Sequence, residues 1–109
     1  MTKVPLSRKY TVNDKTFDHI TLREPTFKET HMAGLGVPQE MQPGPRGSTM
    51  LVTYPEVVDA YAQRLVVEPG YEYIADISAV DAMALQQEIC GFFLHSPQSA
   101  TPQTGSPST

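Results

Sequence analysis

The side chains that could do chemistry in this 109-residue chain are few and scattered. His19, His31, His95 and the single cysteine, Cys90, are the candidate metal ligands and nucleophiles. A zinc site takes its ligands in short-spaced pairs, His-x-x-x-His or Cys-x-x-Cys, and neither spacing occurs. Asp18 and His19 are adjacent, so on a strand they point to opposite faces. Cys90 sits in the apolar run "ICGFFL", where burial raises a thiol's pKa and blunts it as a nucleophile. Gly34-Leu35-Gly36 lacks the Lys-Ser/Thr pair and the strand-to-helix setting of a phosphate loop, and reads as the end of a helix. Glu24 and Glu29 are the remaining acid–base candidates. Nothing places them in a shared pocket, and a helix cap accounts for Glu29. The pattern predicts a chain without catalysis, metal or cofactor, and directs attention to binding.

The elements that would position a binding surface can be read in order. "VPLSRKYTV", residues 4–12, puts Val4, Leu6, Tyr10 and Val12 on one face with Arg8 interrupting, the period of a strand. Asn13-Asp14-Lys15 is turn chemistry. Residues 16–22 return as a second strand on which Ile20 and Leu22 share a face and Phe17 falls on the other, a mismatch that a bulge or a slightly two-sided strand would reconcile. The hairpin spans about 4–24. In "HITLREPTFKE", residues 19–29, Pro25 stops the strand. Thr26 then opens a helix, its hydroxyl serving the Glu29 amide and the Glu29 carboxylate reaching back. That helix is short, about 27–34, and Gly34 and Gly36 end it.

Pro38, Pro43, Pro45, Gly44 and Gly47 make residues 35–54 a loop, long enough for a compact domain to be functional or mobile. Pro55 at a first helical position starts a helix over about 55–67, with Val58, Tyr61, Ala62, Leu65 and Val66 as its apolar stripe. "YEYIADI" suits either a short strand or one helical turn. Ser78 caps a last helix over about 79–94, with Asp81 in the weaker version of the capping-box acid. Its stripe is Ala82, Leu85, Ile89, Phe92 and Phe93, widened by Met83, Cys90 and Leu94. Residues 95–109, rich in Ser, Pro, Thr and Gln, hold no large apolar side chain and are expected to be disordered. The fold class is α+β: an N-terminal β-hairpin, then a small helical domain of two to three helices, all in one domain over 1–94.

Charge narrows the partners. Residues 1–31 carry six Lys/Arg against four Asp/Glu, and residues 32–109 carry two against eight, so the net −4 divides into +2 and −6. A nucleic-acid binder presents a basic face, so that class is disfavoured. An acidic face over the last two-thirds is a solvated surface, or one that steers a basic partner. No apolar run has the roughly 20 residues a membrane span needs. One cysteine leaves no internal disulfide, and "MTKVPLSRKY" lacks the apolar core of a signal peptide. A soluble, intracellular protein is expected.

A hairpin, then "ITLREPTFKE", a variable middle and the final "SAVDAMALQQEICGFFL" resembles the phage tail assembly chaperone family of Mu-like phages. The resemblance rests on Ile20 to Thr26, a strand ending in Leu-Arg-x-Pro-Thr, and on Gly91-Phe92-Phe93-Leu94 closing an acid-capped helix. It covers roughly residues 4–94. Two departures lie between these anchors: the Pro/Gly-rich 35–54 stretch and "EPGYEYIADIS" before the last helix. The resemblance implies assembly rather than catalysis. Such a chaperone binds the long tape measure protein and helps recruit tail tube protein subunits. It works in the host bacterial cytoplasm, is absent from the mature virion, and can accompany a frameshifted longer form of itself. Leu22, Phe27, Leu85, Ile89, Phe92 and Phe93 are the expected apolar partner surface, with Arg23 and Glu24 as its polar rim. The competing expectation is a small structural component of a phage tail or tail-like particle that binds by strand addition.

Overall fold

The computed structural model describes residues 1–94; the tail at 95–109, for which disorder is expected, lies outside the described residues. The architecture is α+β, as the sequence suggests. Strands β1 (Thr2–Val12) and β2 (Lys15–Leu22) form an antiparallel hairpin. Asn13 and Asp14 both take positive φ, 50° and 67°, the twist that a two-residue hairpin turn demands and that Asn and Asp tolerate. Pairing runs in register from Thr2↔Leu22 to Pro5↔His19, then shifts before Tyr10↔Phe17. This irregularity lets Phe17 be buried along with Ile20 and Leu22 although it differs from them in strand parity.

After Pro25 the chain makes a single π-helical turn, Lys28–Met32, rather than an α-helix over 27–34. Its wide bonds run from the Ala33 amide to the Lys28 carbonyl and from the Leu35 amide to the Glu29 carbonyl, and Gly34 ends it at φ +76°. The 35–54 stretch is not a loop throughout. Strands β3 (Gln39–Pro43) and β4 (Thr49–Thr53) pair in a second, two-stranded antiparallel sheet.

Helix α1 (Pro55–Leu65) follows, with Pro at its first position as expected. It ends two residues earlier than the sequence suggests, because Val66–Glu68 leaves the helix directly as β5 and pairs with β2, making the sheet order β1-β2-β5. "YEY" is a 3₁₀ turn, Tyr71–Tyr73. Helix α2, Ala79–Leu94, occupies the predicted span. The core joins Val4, Ile20 and Leu22 of the hairpin to Val58, Tyr61, Ala62 and Leu65 of α1, and to Leu85, Ile89 and Cys90 of α2, with Ile74 closing one end. The helices thus supply the apolar layer that a hairpin cannot do without.

Two polar clusters lock these layers. The Asp81 carboxylate, in the first turn of α2, accepts from the Ser7 amide at 2.8 Å, the Ser7 hydroxyl at 2.9 Å and the Tyr10 hydroxyl. The Tyr10 hydroxyl in turn accepts from the Ser78 amide at 3.0 Å, and the Ser78 hydroxyl accepts from the Asp81 amide at 3.2 Å. Ser78 is therefore the cap the sequence suggests, while Asp81 fastens α2 to β1 instead of capping back. These bonds hold the Asp81 carboxyl below the usual range, the Tyr10 hydroxyl contributing most. At the other end, the buried Glu29 carboxylate accepts from the Thr26 amide at 2.7 Å and the Thr26 hydroxyl at 2.8 Å, and pairs with Arg23 at 2.8 Å. The Thr26 hydroxyl donates to the carboxylate, so only the reach-back half of the expected capping box forms.

Candidate functional site

The candidate binding surface is a groove of about 350 Å³ between α1, α2 and the 3₁₀ turn. One wall is the Val58 and Ala62 row of α1, and the opposite wall is Ala82, Met83 and Gln86 of α2. Tyr71, Ile74 and Ile77, from the segment joining the helices, cross between them, and Leu85 forms the floor. The Tyr71 hydroxyl donates to the Asp59 carboxylate at 2.6 Å, tying the turn to α1; the same bond, ahead of burial, pushes the Tyr71 phenol up. Asp59 and Glu72 give the groove acidic edges, and no lysine or arginine is among its lining residues. Residues 55–94 as a whole hold seven Asp/Glu against Arg64. Such a concavity can take large apolar side chains while its rim favours positive charge.

The expected partner surface is divided by the structure. Leu22 and Ile89 are fully buried and belong to the core, a correction that follows from their place between sheet and helices. Leu85 is nearly as buried and meets the groove from below. Phe92 and Phe93 are half-buried against the core, Phe93 tilted on Tyr61 at 5.1 Å. Phe27 is 66% exposed on the π-turn and stacks on His31 at 4.7 Å. Glu24 is exposed. Arg23 is committed to Glu29, so it braces the strand-to-helix joint rather than forming a free rim. These eight residues therefore do not make one accessible patch.

Sequence reasoning missed the groove because the segment that crosses between its two helical walls, "YEYIADI", has neither strand nor helix period. The signal available was Met83 at the edge of the stripe, 49% exposed, beside two apolar residues, Ile74 and Ile77, in a non-periodic linker. Cys90 is buried and its thiol is pushed up by that burial, as the sequence suggests. Among the described residues no group of three or more His, Cys, Asp or Glu side chains is placed to hold a metal ion, and no helix is long and apolar enough to cross a membrane. No family model, curated protein or solved structure matches the chain.

Proposed function

We propose that this chain is a phage tail assembly chaperone that binds the tape measure protein and helps bring tail tube subunits to it in the host bacterial cytoplasm. The resemblance at residues 20–26 and 91–94 supplies the family. The observation that supports a holding role is the apolar groove between α1 and α2, whose shape suits the apolar face of an amphipathic helix. A tape measure protein is a long helix with such faces, and covering them keeps it from aggregating.

Co-expression with the tape measure protein encoded in the same genome tests the reading. The expected product is a soluble complex holding several copies of this chain per tape measure, measured by size exclusion with light scattering. Met83→Glu, on the groove wall, is expected to abolish it. A tape measure that stays insoluble while this chain elutes alone refutes the proposal.

The second reading, a structural component of the tail joined by strand addition, draws on β1, an eleven-residue strand at a sheet edge. That edge is blunted by Pro5, Lys3, Arg8 and Lys9, which favours the chaperone. The structural reading predicts the chain in purified particles, and the chaperone reading predicts its absence there.

A further inference from the structure

The β3–β4 ribbon is unfinished. Every residue from Glu40 to Leu51 except Gly44 is exposed, including Met41 at 60% and Leu51 at 57%. A two-stranded ribbon without a third strand or a covering layer is marginal in water. Among the described residues four strands present an outward edge: β1 and β5 in one sheet, β3 and β4 in the other. Proteins discourage unwanted pairing at such edges with charge, proline, bulges or shortness. β1 has Pro5, two lysines and a register shift, and β5 is three residues long and ends at Glu68 before Pro69. β3 carries Glu40 and Pro43. β4, Thr49-Met50-Leu51-Val52-Thr53, carries neither charge nor proline.

We propose that β4 is the pairing edge for a second copy of this chain, antiparallel about a two-fold axis at Leu51. The backbone fixes which groups are free. The Gly44 amide donates to the Ser48 carbonyl at 2.7 Å, and the Tyr54 amide to the Pro38 carbonyl at 2.9 Å. In an antiparallel ladder hydrogen-bonded pairs alternate with non-bonded ones, so Met50 and Val52 bond inward to Gln42 and Glu40. Thr49, Leu51 and Thr53 therefore turn their amides and carbonyls outward. A two-fold axis at Leu51 sets Leu51 against Leu51 and Thr49 against Thr53, outward group against outward group, with Met50 beside Val52. The strand reads nearly the same in reverse, which is what a self-complementary contact requires.

Charge agrees with this register. Arg46 at the ribbon tip is the one basic residue between positions 32 and 63. Antiparallel pairing about this axis sets the tip of one ribbon, which carries Arg46, beside the base of the other, which carries Glu40. Pairing through β3 instead would put the missing N–H of Pro43 on the ladder, since Pro43 is among its outward-facing residues.

The full chain tests this by light scattering. The expected mass is twice the 12.0 kDa of one chain. Leu51→Lys and Leu51→Glu each place like charges at the axis and are expected to halve the mass, while an equal mixture of the two restores it. The helical circular dichroism signal of each variant should match wild type, because Leu51 lies outside the core that holds the helices. A single-copy wild type, an open-ended assembly, variants that still pair, or a mixture that fails to, each overturns the proposal. Wild type also gives a readout without substitution. The Thr49, Leu51 and Thr53 amides are protected from hydrogen exchange in the dimer, and fast exchange at all three overturns it.

Discussion

At the residue scale, Glu29 shows how a carboxylate can be buried without cost to the fold being left open. It is 2% exposed, yet Arg23 and both donors of Thr26 meet it. The Arg23 guanidinium contributes most and the Thr26 amide and hydroxyl follow, holding the Glu29 carboxyl at about 2, against 4.5 ordinarily. A folded-state pKa below the unfolded one means stability that is fully present above about pH 4.5 and lost as pH falls toward 2. Asp81 has a shift of the same sign. The urea midpoint is therefore expected to decline across that acid window. Glu29→Gln should lower it at neutral pH and flatten the decline, as an acid titration followed by circular dichroism would read. The sequence showed Thr26 and Glu29 as partners because their spacing is local. Arg23 looked like a free rim because its pairing depends on how sharply the chain turns at Pro25.

At the element scale, burial separates core from surface where periodicity could not. Ile89→Ala is expected to cost about 2–5 kcal/mol, since it empties a site between sheet and helices. Phe27→Ala, at a mostly exposed position, should stay within about 0.5 kcal/mol. Equilibrium urea unfolding of both variants checks the contrast. Helix α2 was legible because a capping serine and a continuous stripe frame it. β5 was not, because Val66 continues the stripe of α1 and the pairing that makes it a strand lies with Thr21 and Leu22, far back in the sequence. β3 and β4 were hidden because polar β3 has no alternating pattern, and Gly44, Pro45 and Gly47 between them are the turn rather than a loop.

At the scale of the whole molecule, the charge division has a kinetic meaning. Basic residues lie mainly on β1 and the joint after β2, acidic ones around the helices that form the groove. For a basic partner segment entering that groove, raising salt from about 0.05 to 0.5 M should slow association by about tenfold and alter dissociation little. Stopped-flow binding to a tape measure segment reads both rates. The sequence made the acidic majority legible; it did not show that the charges edge a concave apolar site, because that depends on where two helices and a turn meet.

The Tyr54 amide donates to the Pro38 carbonyl at 2.9 Å, so the chain leaves the body at Pro38 and re-enters it at Tyr54 almost at the same point. None of the core side chains comes from the stretch between. The ribbon is thus a module set into a domain that closes behind it. Lengthening such an excursion costs little, about 0.6 kcal/mol per doubling. Its residues are free to diverge at the pace of whatever they touch, while the sheet and helices remain under the slower discipline of packing.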